Sequence, residues 1–227
     1  MVKMYIVRHP EAMGNAARIF QGSTDCDVTE RGVRQLGCLS RRFADIKLDA
    51  IYSSPLKRAY KTAEAINRGH NLEIQINDDL REICGGVVEG LSWQEFSEKM
   101  PKLYETWNEK PYLFNPPEGE SMKSVYNRAY SAVLKIAAEN EGKTVAITSH
   151  GCTIRNIFCR ALGYPLEDIT AVEWCDNTGV SLLILDKDKP PYFEYKNDLS
   201  HLTEDCVPPR RHSTFYYSPK KTAEVSR

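Results

Sequence analysis

The chain has 227 residues, of which 41% are hydrophobic, 27% charged and 10% aromatic, enough apolar material for a sizeable core and far from the composition of a disordered chain. Thirty Lys and Arg stand against 31 Asp and Glu, a net charge of −1, which argues against nucleic-acid and membrane-surface partners and requires any anion site to be local. The first apolar run ends at Arg8, and the seven cysteines contain no C-x-x-C pair; no membrane segment, a cytoplasmic location and reduced, buried thiols are expected.

Met4 to Val7 reads as a strand buried on both faces, ending at Arg8-His9-Pro10. Thr29 to Phe43 has helical apolar spacing behind an N-cap threonine. Ala50 to Ser53 is a second short strand, followed by Ser54-Pro55 as cap and first-turn proline and a helix over Leu56 to Asn67. Leu72 to Ile76 alternates as a strand. From Ser92 to Pro117 two helix-like pieces are interrupted by prolines, and a helix over Ser121 to Asn140 follows. Lys143 to Thr148 is a strong β-run ending at Ser149-His150-Gly151, and Cys152 to Leu162 reads as an amphipathic helix stopped by Gly163. Val180 to Leu185 and Tyr192 to Lys196 form a final hairpin.

Strands alternating with helices predict an α/β fold: a three-layer sandwich with a mostly parallel central sheet, helices on both faces, an antiparallel edge and a helical insertion over the active-site end. A single domain is expected over residues 1–207, with the insertion at about 92–117. Residues 208–227, with five basic residues and one acidic, form a basic tail expected to be flexible.

Ligands of open parallel sheets bind at the carboxyl ends of the strands, where His9 and His150 both lie. Each alone could be a structural histidine; the pair at equivalent strand ends points to chemistry. Arg8 and Arg58, with the N-terminus of the helix after His150, would make an anion pocket, since guanidinium forks match phosphate. Glu82 is either the carboxylate such a site needs or a surface residue paired with Arg81. No cysteine has Arg six positions on, Gly142-Lys143-Thr144 precedes a strand instead of following one, and no paired-Asp or His-rich cluster suits two metals. Phosphoryl transfer through histidine, with no metal and no cofactor, is what remains.

Arg8-His9-Pro10-Glu11-Ala12 with Asn15, Gln21-Gly22, Thr29-Glu30-Arg31-Gly32 with Gln35, Tyr52 to Ala59 with Thr62-Ala63, Leu80 to Ile83 with Glu89-Gly90, Gly119-Glu120-Ser121 and Ser149-His150-Gly151 together resemble the motifs of the histidine phosphatases, the phosphoglycerate mutase-like superfamily, in that family's order. The resemblance implies that His9 is the nucleophile and becomes phosphorylated, that Arg8, Arg58 and His150 hold the phosphoryl oxygens, and that Glu82 handles the proton. It further implies phosphate contacts from Asn15, Gln21, Gly22 and Gly151. Pro10 and Ala12 depart from the usual Gly and Thr, removing a backbone N–H and a hydroxyl.

Residues 83–118 hold six Glu, three Lys and no Arg, with Trp93, Phe96, Tyr104, Trp107, Tyr112 and Phe114. An acidic, aromatic insertion does not favour a phosphoglycerate carboxylate, and suits a phosphomonoester with an apolar or ring portion, unless these rings only pack the insertion onto the sheet. The expected function is hydrolysis of a small-metabolite phosphomonoester, with free phosphate as the other ligand and a homodimer as an allowed assembly. A phosphoglycerate mutase and a catalytically weak phospholigand-binding protein are the alternatives.

Overall fold

The computed structural model describes residues 1–207; the basic tail at 208–227 lies outside them. Strands β1 (Val2–Arg8), β2 (Ala50–Ser53), β3 (Ile74–Ile76), β4 (Thr144–Ser149), β5 (Val180–Leu185) and β6 (Tyr192–Asp198) form a six-stranded sheet in the order β3-β2-β4-β1-β5-β6. The pairs β1–β4, β4–β2 and β2–β3 are parallel, and β5 and β6 form the expected antiparallel edge.

Strands β1, β2, β4 and β5 are largely buried because helices cover both faces, whereas the edge strands β3 and β6 alternate with polar, more exposed residues. Met4 and Ile6 of β1, with Val145 and Ile147 of β4, face α6 (Met122–Glu139) and α7 (Gly151–Ala161). Val7 and Ala146 face α2 (Glu30–Phe43) and α3 (Lys57–Asn67), packing with Leu39, Phe43, Ala63 and Ile66. The short α1 (Met13–Ala16) lies in the loop after β1. Thr29 caps α2, accepting from Gly32 N at 3.0 Å.

Three boundaries and the character of one helix depart from expectation for local reasons. Helix α3 starts at Lys57 with no side-chain cap, because the N-cap position falls on Leu56; the Ser54 hydroxyl accepts from Leu56 N at 3.3 Å and is also engaged with His150. Strand β3 starts at Ile74, since the Asn67 side chain takes both backbone groups of Leu72, at 3.0 and 2.7 Å. Strand β6 runs on to Asp198. Helix α7 is not amphipathic: residues 151–159 and Ala161 are all buried, because the helix packs against α6 and the 3-10 segment Leu166–Ala171. Its polar members bond internally, Arg155 to Val172 O and Asn156 to Cys152 O. It ends in a Schellman motif, with Gly163 at φ +77°, Gly163 N donating to Arg160 O and Tyr164 N to Cys159 O.

The insertion forms α4 (Trp93–Lys99), α5 (Pro101–Glu109) and a 3-10 turn at Pro111–Leu113. It is stitched to the loop after β1 by an Ile19–Ser92 bridge and by Phe20, whose ring packs on Trp107 at 5.0 Å and Phe96 at 6.0 Å. Phe96 and Phe114 are fully buried, so these two rings serve packing and cannot line a substrate pocket. No helix among the described residues is long and apolar enough to cross a membrane.

Candidate active site

Strand register brings the two histidines together. Arg8 of β1 lies opposite Ser149 of β4, so the next residues, His9 and His150, leave the sheet side by side; His9 N donates to Ser149 O at 3.0 Å and the ring centroids are 5.2 Å apart. Both rings are buried, His9 with 3% exposure and His150 with none. Ser53 of β2 lies opposite Thr148, which places Ser54 beside His150 and starts α3 next to it.

His9 Nδ1 bonds Pro10 O at 2.6 Å. A carbonyl only accepts, so Nδ1 carries the proton and Nε2 keeps its lone pair. Arg58 Nε donates to His150 Nδ1 at 3.2 Å, which makes Nε2 of His150 the protonated nitrogen, bonded to Ser54 Oγ at 2.7 Å. Both imidazoles are held well below the usual histidine pKa. Burial is the main cause for each, followed by Arg58 and then, for His9, Arg8. At neutral pH both are uncharged.

Arg58 is 1% exposed, and its Nη1 and Nη2 donate to Thr24 O and Gly22 O at 2.7 and 2.8 Å. The loop carrying those carbonyls is braced by Glu89, which accepts from Ser23 N, Ser23 Oγ, Thr24 Oγ1 and Gly85 N. Burial works against the Glu89 charge, but these donors outweigh it and hold the carboxyl below its ordinary pKa. Gly22 sits at φ +50°, and a Cβ there would meet Glu89 Oε1 at 2.2 Å. Arg8 donates from Nη1 to Cys175 O, and its guanidinium lies on Gly151, where a Cβ would approach Cζ at 3.2 Å.

Glu82 does not pair with Arg81, whose partner is Asp78 at 2.9 Å. Its carboxylate instead accepts from Cys152 N and Thr153 N, both at 3.0 Å. The first turn of α7, expected to offer its N–H groups to an anion, therefore gives these two to Glu82. Glu82 thus sits next to His150 through α7. Asn15 Oδ1 accepts from Ala12 N at 3.0 Å, which fixes the short helix after His9 and turns the amide NH2 away from that bond. Gln21 Oε1 is buried with no hydrogen-bond partner among the described residues. Pro10 keeps its carbonyl on His9, and Ala12 is fully buried.

Three contributors were not legible in the sequence: Ser54 on His150, Arg128 behind Glu82, and the Asn177-Thr178 turn. Asn177 Nδ2 donates to His9 O at 3.0 Å and Thr178 holds φ +58°, an uncommon conformation for a β-branched residue that no local signal announces. Among the described residues no group of three or more His, Cys, Asp or Glu could hold a metal ion.

Residues 4–198 match the model of the histidine phosphatase superfamily, branch 1. The chain belongs to that superfamily. This histidine phosphatase is 36% identical over 187 residues to phosphoserine phosphatase 1 of Hydrogenobacter thermophilus, covering 82% of this chain and 88% of the relative. It is 30% identical over 206 residues to the metal-independent phosphoserine phosphatase of Arabidopsis thaliana, covering 89% and 84%. A phosphoserine phosphatase mutant from Entamoeba histolytica, solved in complex with phosphoserine, superposes with a TM-score of 0.79 at 26% identity, covering 89% of this chain and all of that one. With this fold and these relatives, the chain is a phosphoric monoester hydrolase.

Proposed function

We propose that this histidine phosphatase hydrolyses a small phosphomonoester through a phosphohistidine on Nε2 of His9, without a metal, and that O-phosphoserine is the first substrate to try. The observation carrying this is the pair of buried, uncharged imidazoles at adjacent strand ends, one with a free-lone-pair Nε2 and the other bonded to a buried guanidinium. His9 Nε2 attacks phosphorus in line with the ester oxygen; the N–P bond forms, the P–O bond breaks, and the carboxyl of Glu82 gives its proton to the leaving oxygen. Water then attacks phosphorus, Glu82 takes its proton, and the N–P bond breaks to release phosphate. Arg8 and Arg58 stabilise the charge on the equatorial oxygens, joined by His150 once its Nε2–H turns from Ser54 Oγ to a phosphoryl oxygen. Gln21, whose buried carbonyl oxygen lacks a partner, turns its amide NH2 to the phosphoryl group, with Asn15, Gly22 and the Gly151 backbone beside it. To act, Glu82 must release one oxygen from the α7 amides.

The phosphoserine phosphatase relatives support the substrate class, and an insertion with no Arg between residues 83 and 118 favours hydrolysis over phosphoglycerate mutation. One domain over residues 1–207, a cytoplasmic location and a homodimer complete the proposal; light scattering at twice the 25.9 kDa chain mass tests the last. The deciding experiment is phosphate release from O-phosphoserine and p-nitrophenyl phosphate, with trapping of an acid-labile, base-stable phosphoprotein. His9→Ala should abolish both signals. Turnover that survives in that variant refutes the nucleophile.

A further inference from the structure

Four consecutive peptide carbonyls, Asp79 to Glu82, are each held by a side chain from another element. Arg128, in the middle of α6, donates from Nη1 to Asp79 O at 2.7 Å and Arg81 O at 2.9 Å, and from Nη2 to Glu82 O at 3.4 Å. Ser149, at the end of β4, donates to Leu80 O at 2.7 Å, and Thr153 of α7 donates to Arg81 O at 2.5 Å. The remaining Arg128 donors form a fork on Glu120, Nε to Oε1 at 2.7 Å and Nη2 to Oε2 at 2.8 Å.

All five guanidinium N–H groups are therefore spent on the protein. Only a planar five-donor group bonds two carboxylate oxygens and three carbonyls at once; a lysine keeps the charge but has three donors on one atom. The pair is well covered, with side chains 19% and 20% exposed, and Arg128 lies within electrostatic reach of both Glu82 and His150.

The segment so held needs holding. Between β3 and α4 the chain has only two 3-10 turns, Asp78–Leu80 and Gly86–Val88, so no ladder or α-helix fixes the backbone that carries Glu82. A proton donor displaced by about 1 Å can lose about a hundredfold in rate. We infer that Arg128, steadied by Glu120, is a positioning residue for proton transfer at Glu82: it fixes the peptide from which the carboxyl reaches the leaving oxygen while touching neither substrate nor phosphoryl group. The inference rests on the proposed role of Glu82 as acid.

The test is kcat/KM for a series of substituted phenyl phosphates, which reports phosphoryl transfer to His9 as a function of how much the leaving group needs a proton. Wild type, Glu82→Gln, Arg128→Lys and Glu120→Gln are compared, with thermal unfolding as the check on folding. For Arg128→Lys, kcat/KM should fall about tenfold or more on unsubstituted phenyl phosphate and stay within about threefold of wild type on 2,4-dinitrophenyl phosphate, whose leaving group needs no acid. Glu120→Gln should show the same split, smaller. It decides alone if Arg128→Lys does not fold. An equal loss on all substrates, or none, overturns the inference, because a purely structural residue does not discriminate leaving groups. The controls keep the two failures apart: a Glu82→Gln enzyme with no leaving-group dependence removes the acid assignment and this inference with it, whereas a steep Glu82→Gln dependence with a flat Arg128→Lys response removes this inference alone.

Discussion

Gly151→Ala separates anion binding from stability. Gly151 is the first residue of α7, and no positive φ stands against alanine there. The added Cβ would stand 3.2 Å from Arg8 Cζ, 3.3 Å from Nε and 3.4 Å from Nη2, against about 3.5–4.0 Å for an ordinary contact. The guanidinium must therefore retreat by about 0.3–0.8 Å, and its Nη1 bond to Cys175 O limits where it can go. A hydrogen bond to a charged group contributes about 1.5–3 kcal/mol, and loss of roughly half of one such bond in the transition state lowers kcat/KM about 4- to 13-fold. Folding responds in the opposite sense. Replacing Gly by Ala at a compatible position stabilises by about 0.4–1 kcal/mol through the unfolded chain, so Tm should hold or rise by about 1–4 °C. Steady-state hydrolysis of p-nitrophenyl phosphate, inhibition by inorganic phosphate and a thermal melt together decide it. Unchanged kcat/KM and phosphate inhibition would mean that Arg8 does not hold the phosphoryl group from this position; a fall accompanied by a large loss of Tm would mean a packing defect instead.

Three further outcomes are expected. The unfolded chain binds protons on His9 and His150 near pH 6.5, while the folded protein does so only well below it; His201, lowered to about 4 by burial, adds to the same window. The stability these neutral rings supply is complete above about pH 6.5 and is lost as pH falls below it, so the urea midpoint should be lower at pH 5 than at pH 7.5, and an equal or higher midpoint refutes the neutral assignment. Glu89→Gln leaves an amide facing donors from Ser23, Thr24 and Gly85; a loss of about 1–3 kcal/mol in urea unfolding is expected, together with a raised KM because the loop that anchors Arg58 loosens. Prolonged dialysis against EDTA should leave turnover unchanged; loss of activity restored by one divalent metal would contradict a mechanism carried by side chains alone.

The sheet was legible because its inner strands are buried on both faces, so Met4–Val7, Ala50–Tyr52 and Leu182–Leu185 are apolar runs in sequence and lie in strands in space. The paired histidines were legible for a topological reason: each ends a parallel strand, and parallel strands share their carboxyl edge. What stayed hidden depends on tertiary partners. Ser54 looks only like a helix-entrance residue, yet its hydroxyl also bonds His150, and α7 looks amphipathic although its polar residues are satisfied by neighbours distant in sequence. Arg128, in the run Tyr126-Asn127-Arg128-Ala129, has the pattern of a solvated helix face; its three bonds to carbonyls exist only once residues 79–82 fold beneath it. Net charge concealed the site for a related reason. Arg8 and Arg58 are 7% and 1% exposed, and buried charges are tolerated where carbonyls receive their N–H groups, as those of Cys175, Thr24 and Gly22 do here. Neutral carbonyls satisfy the hydrogen bonds without cancelling the charge, and low-dielectric surroundings screen it little. Two positive charges therefore remain focused beside two uncharged imidazoles, so a chain with a total charge of −1 still carries the local charge that the proposed phosphoryl site requires.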